Sequence, residues 1–201
     1  MATAASPDIS YLRIRDGRLS LNGRDVVSAP DAAAMYRELS YSYPKFFKMD
    51  ALSKWAWLGA ETLLRAGSGS WKYEGLDTRH IGLVLITLDG CLEADKRYAE
   101  SMNDIPSPAL FVYTLPNIML GEICIRHGFK GEQLCLIADE FDAEALRFQA
   151  QDLLKNRHLS HCLFGWADAA GDYQDICLFW ADAAAADSIS AEWLQEIYQS
   201  N

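Results

Sequence analysis

The run Ile81-Gly82-Leu83-Val84-Leu85-Ile86 is apolar without a break. A strand with one face in water alternates apolar and polar residues, so an unbroken run of this length marks a strand covered on both faces, as in a sheet sandwiched between helices. Reading outward from it, the spacing predicts a helix from about Leu92 to Met102, a second apolar strand from Ala109 to Tyr113, and a helix from about Pro116 to His127 closed by Gly128. A third strand follows, Gln133 to Ala138. Asp142 then stands as the cap of a long amphipathic helix whose inward residues are Leu146, Ala150, Leu153 and Leu154. Two further strands, Ser160 to Trp166 and Ile176 to Trp180, flank a turn-rich stretch from Ala167 to Asp175. An alanine-rich spacer, Ala181 to Ala186, leads to a last helix from Ser190 to Tyr198.

Upstream, Leu52, Trp55, Ala56, Gly59, Ala60 and Leu63 fall on one helical face behind Asp50, a second N-cap, and this buried helix is expected to end near Gly67. Ser68 to Thr78 reads as loop, and Tyr41 to Phe47 as an irregular packed segment. The chain opens on a hairpin: Ile9 to Arg15 turns at Asp16-Gly17, and Leu19 to Leu21 returns before Asn22-Gly23 breaks the run. A short helix follows Pro30, through Ala34 to Leu39. Strands separated by helices imply βαβ units, so the fold class is α/β, a mostly parallel mixed sheet with helices on both faces. No repeat or linker divides residues 1–201, which read as a single domain.

Composition narrows the functions. Half of the 201 residues are hydrophobic, enough for a real core. Eighteen basic against 28 acidic residues give a formal charge of −10, which disfavours nucleic acid and anionic membrane as partners. No segment approaches the roughly 20 apolar residues of a membrane helix, and Met1 to Ser6 lack the basic start of a secretory signal, so a cytoplasmic location is expected. The cysteines Cys91, Cys124, Cys135, Cys162 and Cys177 are then reduced thiols; with no CxxC and no Cys/His cluster, neither a disulfide framework nor a metal or cofactor site is expected. Gly67-Ser68-Gly69-Ser70 is a connection, not a phosphate loop, because it follows a helix and not a strand.

Several stretches, in order, resemble the N-terminal half of the β-ketoacyl-acyl-carrier-protein synthases, of thiolase-like fold. Phe46-Phe47-Lys48-Met49-Asp50-Ala51-Leu52-Ser53-Lys54 resembles the family's entry to its first long helix, and Ile81 to Ile86 with Asp95 and Tyr98 resembles the next segment. The most specific stretch is Ser107-Pro108-Ala109-Leu110-Phe111-Val112-Tyr113-Thr114-Leu115-Pro116-Asn117, continued by Gly121, Ile125-Arg126-His127-Gly128 and Phe129-Lys130-Gly131. The resemblance spans residues 45 to 167 and implies a thiolase-like half fold.

In that family a cysteine nucleophile sits on a tight turn from strand to helix, where the helix N-terminus favours the thiolate. Carried forward from Lys130-Gly131, the turn falls at Asp139-Glu140-Phe141, and no cysteine stands there. Cys135 lies inside the strand, where a thiol is a small buried hydrophobe. The family's two histidines and lysine belong to a C-terminal half beyond the region of resemblance. Of the histidines here, His127 reads as a helix C-terminal residue serving the dipole, His158 and His161 as surface or half-buried residues, and His80 as unpartnered. No catalytic residue is expected. The resemblance implies a chain-length-factor-like subunit that pairs with an active β-ketoacyl synthase in fatty-acid or polyene synthesis of the aryl-polyene or flexirubin type, with acyl carrier protein as a further partner. The alternatives are a homodimeric acyl-binding or scaffold protein, and an enzyme of different mechanism using Asp139, Glu140 or Cys135. The implied partner interface is Gln133, Leu134, Cys135, Leu136, Ile137 and Asp139, an apolar strand to be covered by a partner or by the tail helix. The implied acyl tunnel is Phe111, Tyr113, Met119, Ile123 and Phe141.

Overall fold

A computed structural model describes residues 9–66, 69–103 and 105–200. Its centre is one seven-stranded sheet in the order β3-β2-β1-β7-β6-β4-β5. The strands are β1 Ser10–Arg15, β2 Arg18–Leu21, β3 Arg24–Ser28, β4 Ile81–Thr87, β5 Gln133–Ile137, β6 His161–Ala170 and β7 Tyr173–Asp182. Helices α1 Ala32–Glu38, α2 Ala51–Leu64, α3 Leu92–Ser101, α4 Pro108–Val112 and α5 Ile118–His127 precede β5, and α6 Ala143–Gln151 and α7 Ala191–Gln199 come after it.

The central strands are apolar throughout because each alternates between two cores. Leu83, Leu85, Leu163, Ile176 and Leu178 point into the core under α1, α2 and α5. Val84, Ile86, Phe164, Cys177 and Phe179 point into the core under α6 and α7. Helix α2 is buried nearly all round and crosses the sheet so closely that a Cβ on Gly59 would lie 2.9 Å from Leu178 Cδ1 and 3.2 Å from Ile176 Cγ2. Asp50 caps it, accepting from the Leu52 and Ser53 amides. Its last helical residue is Leu64, three short of Gly67; Gly67 and Ser68 lie outside the described residues.

The α/β class, the mixed sheet and the helices on both faces are as the sequence reads, but the sheet is not mostly parallel. Only β4 pairs in parallel, with β5 and β6, whereas the other four pairings are antiparallel. Two local readings account for this. Ala167 to Asp175 is not a turn-rich connection: β6 and β7, ten residues each, run straight through it as a hairpin closed at Gly171-Asp172. Its buried acidic residues are tolerated because each accepts hydrogen bonds, although Asp168 Oδ2 has no partner. Asp168, fully buried, accepts from the Thr87 hydroxyl and from the Leu88 and Asp89 amides. At the other end, Asn22-Gly23 does not stop the hairpin but turns it into β3, with both residues at positive φ, 50° and 74°.

The expected strand Ala109 to Tyr113 is also a helix, α4. Ser107 caps it, accepting from the Leu110 amide at 3.3 Å, and Pro108 occupies its first turn. Phe111 and Val112 are about half exposed, so the site lacks the two-sided burial that would favour a strand.

Helix α7 follows a spacer that is a 3-10 helix, Ala183–Ser188. The Ser190 hydroxyl accepts from the Trp193 amide at 3.2 Å, and Trp193 meets Tyr11 and Phe179 edge-on or tilted. Ser190→Ala should destabilise the chain by about 1 kcal/mol. Thermal unfolding should then show a midpoint lowered by about 2–4 °C. Among the described residues no helix is long and apolar enough to cross a membrane.

Candidate functional site

Strand β5 pairs with β4 in the register Leu83↔Gln133 to Thr87↔Ile137, and no described strand lies on its other side. Its hydrogen bonds reveal which groups are free. Leu83 donates to Glu132 O and Ala138 donates to Thr87 O, so the even-numbered residues serve the ladder. By the alternation of a parallel pair, Gln133, Cys135 and Ile137 direct their N–H and C=O groups outward.

The side chains fit this edge. Leu134, Leu136 and Ala138 lean on the α6 side and Cys135 on the α2 side, each half-buried, while Ile137 is 62% exposed. The tail helix does not cover the edge: Trp193 of α7 packs on β1 and β7, several strands away. Next to Ile137 the loop after β4 closes against the segment before α5, where a Cβ on Gly90 would lie 3.0 Å from Pro116 Cγ and 3.9 Å from Ile137 Cδ1. Leu88 and Leu115, beside these contacts, are exposed as well, so apolar surface continues past the strand end.

The turn beyond β5 carries Asp139 and Glu140, both exposed, and Phe141, buried. Asp142 caps α6 by accepting from the Ala145 amide at 2.9 Å. Asp139 and Glu140 border an open hollow of about 520 Å³ together with Asp142, Glu144 and Gln195. Four carboxylates meet there with no thiol, hydroxyl or imidazole among the lining residues. Asp139 lies in this acidic turn, two residues past the last residue of β5.

The other candidates for chemistry are equally unsuited. Burial pushes the Cys135 thiol up to about 11 and those of Cys124 and Cys177 up to about 12; Cys91 and Cys162 are raised by the same cause. All five cysteines are free thiols. A nucleophilic cysteine needs the opposite environment. Alkylation of Cys135 by iodoacetamide at pH 8 should be slow, since only about a thousandth of such a thiol is ionised there. Mass spectrometry of the modified peptide checks this against a fast-reacting free thiol.

His127 is not the dipole-serving cation that its place in the sequence suggests. It is buried, its Nδ1 lies 3.0 Å from the Tyr73 hydroxyl, and its Nε2 lies 3.6 Å from Glu61 Oε2. Burial lowers it to about 4, with Glu61 opposing and the charges of Arg126 and Arg65 adding to the effect, so it is neutral. His80 is not unpartnered either: its Nδ1 stands 3.4 Å from Asp77 Oδ2 on the surface. His161 stacks on Trp180, and His158 is exposed on its loop.

The tunnel residues divide. Met119 and Ile123 of α5 are fully enclosed in the α2-side core, and Tyr113 packs against that core while donating to Glu122 at 3.1 Å. Phe111 is half exposed on α4 and meets Tyr98. Phe141 belongs to the opposite core, stacked on Tyr198 with ring centroids 4.0 Å apart. The sheet separates it from the other four. Tyr113 instead borders an apolar groove of about 460 Å³ with Met49, Ala94 and Leu110, rimmed by Lys45, Lys48 and Arg97.

No known family profile matches the sequence, and no curated protein matches it. Solved structures do match in shape. One is a chain of the ishigamide ketosynthase/chain length factor, with a TM-score of 0.61 and 15% identity, over 88% of this chain and 62% of that one. The fold is like that of this ketosynthase/chain length factor chain. A chain of the ketosynthase ApeO in complex with its chain length factor ApeC, from Xenorhabdus doucetiae, matches with a TM-score of 0.57 and 13% identity over 89% of this chain and 79% of its own. A chain of AntDE:AntF, a type II acyl-carrier protein in complex with its ketosynthase, matches with a TM-score of 0.59 and 12% identity over 89% and 62%. The present chain thus spans a little under two thirds of the first and third of these structures.

Proposed function

We propose that this chain is a non-catalytic, chain-length-factor-like subunit that pairs through β5 with an active β-ketoacyl synthase in the cytoplasm. The observation that carries the reading is the free edge of β5, apolar on both faces and open along its backbone; it leads into a turn of carboxylates, at the place where the sequence resemblance implies a ketosynthase's nucleophile. A strand with outward N–H and C=O groups and an exposed Ile137 is a template open to pairing with a further strand. The likeness in fold to chains of ketosynthase/chain length factor complexes favours a ketosynthase as that partner.

Within this reading the product is a fatty-acid or polyene chain of the aryl-polyene or flexirubin type, delivered by acyl carrier protein. Phe111 and Tyr113 are the acyl-facing residues, and Met119 and Ile123 form the rigid core behind them. Phe141 contributes from the far face by fixing the turn after β5.

Co-expression with a ketosynthase that retains its cysteine tests the proposal. A one-to-one complex, with synthase activity that is lost or altered when the subunit is left out, is the expected result. No complex at micromolar concentration overturns it. A stable homodimer that ignores the synthase would instead favour the homodimeric acyl-binding or scaffold reading.

A further inference from the structure

On the α7 side of the N-terminal meander, Arg13 and Arg15 of β1 lie across from Ser20 and Arg18 of β2, so all four side chains share one face. Their far ends enclose a cavity of about 270 Å³, closed on one side by Ser200 at the end of α7. Three guanidiniums, those of Arg13, Arg15 and Arg18, stand against three carboxylates, the buried Asp175 and, at the rim, the exposed Asp16 and Asp25. Asp175, 3% exposed, accepts from Arg13 Nη1 at 2.9 Å, from Arg15 Nη2 at 3.3 Å and from the Tyr198 hydroxyl at 2.7 Å. One carboxylate therefore faces two guanidiniums, both of which also stand over the Tyr198 ring, at 4.8 and 5.1 Å.

Arg13 is 5% exposed, yet its Nε and Nη2 have no hydrogen-bond partner. An enclosed arginine with donors to spare is unusual. Arg18 reaches the cavity paired only with Asp25, in an exposed contact at 2.8 Å that an incoming anion displaces at little cost. Asp16 and Asp25 stand at the rim, both exposed.

We propose that this cavity binds a phosphate group, taken either as the free ion or as a phosphate monoester. Inside the cavity Arg13 and Arg15 leave one positive charge beyond Asp175, and Arg18 released from Asp25 adds a further guanidinium, while Asp16 and Asp25 stay in solvent at the rim. The guanidinium forks match its oxygens, and the hydroxyls of Ser20 and Ser200 line the same walls. The site is local: the chain as a whole carries −10 and repels phosphate elsewhere.

Isothermal titration of the full chain with inorganic phosphate and with glycerol 3-phosphate, at matched ionic strength in chloride, tests this. A saturable one-site isotherm is expected, weakened roughly tenfold by Arg15→Gln and again by Arg18→Gln. The thermal midpoint of both variants should stay near that of the parent, since Arg13 and Tyr198 still satisfy Asp175. Tighter binding of the monoester identifies an esterified phosphate as the ligand, and equal binding identifies the ion. Heats no larger than those of chloride, or unchanged affinity in the double variant, overturn the proposal.

Discussion

Replacing Glu61 by alanine should destabilise the chain by about 3 kcal/mol, the low end of what removing one partner from a buried ion cluster does. Glu61 is fully buried in α2, where its carboxylate accepts from Arg126 Nε at 2.9 Å, Arg126 Nη2 at 2.8 Å and Arg65 Nη2 at 2.8 Å. Burial alone would push this carboxyl up, but the bonds from Arg126 and Arg65 outweigh it and hold it below the usual range. Both guanidiniums are further placed over aromatic rings, Arg65 on Tyr41 and Trp71, Arg126 on Tyr43, Trp57 and Trp71. Without Glu61 they remain among these rings and beside His127 with no counter-charge. The low end applies because Arg65 and Arg126 keep some contact with water. Chemical denaturation of Glu61→Ala and Glu61→Gln measures it, and the isosteric glutamine should lose less.

The same cluster sets a pH limb. His127 sits near 4 in the folded chain and near 6.5 when unfolded, so between those values the unfolded chain binds the extra proton. Stability is therefore complete above about pH 6.5 and falls as pH drops toward 4, by up to about 3 kcal/mol. Glu61, with its lowered value, adds to the loss at more acidic pH. His127→Gln should flatten the limb between pH 6.5 and 4.

The second large effect concerns association and not folding. Ile137→Pro should weaken pairing with the synthase on the order of 100-fold, about 3 kcal/mol, while changing the stability of the isolated chain little. Ile137 lies at the end of β5 and its amide points away from β4, so proline removes a donor that the proposed pairing would use and none that β4 uses. Leu136→Pro is the control, because its amide serves the β4 ladder; it should unfold or destabilise the chain itself. Titration of both variants against the synthase separates the two losses.

How much of this was legible in the sequence depends on how far each feature reaches along the chain. The strand around Leu83 and the helices capped by Asp50 and Asp142 carry their signal within a dozen residues, in apolar periodicity and a cap, and the structure has them. Ala109 to Tyr113 misleads because Phe-Val-Tyr looks like strand; Ser107-Pro108 is the competing signal, and the exposure of Phe111 lets it win. The long β6–β7 hairpin was hidden by Asp168 and Asp175, acids that read as loop until their partners, Thr87 and Arg13, arrive from far away in sequence. Glu61 and Arg126 are 65 positions apart, so no local pattern could join them. The thiolase-like half fold is legible only through the resemblance; β4 and β5 themselves show only apolar runs, which do not reveal which of the two is the edge.

Amide hydrogen exchange on β5, followed residue by residue by NMR with and without the synthase, tests the central claim most directly. In the isolated chain Gln133, Cys135 and Ile137 should exchange rapidly and Leu134, Leu136 and Ala138 slowly. On complex formation the three outward amides should become protected while the inward three change little. If a complex forms and those outward amides still exchange as in the free chain, β5 is not the surface that holds the partner.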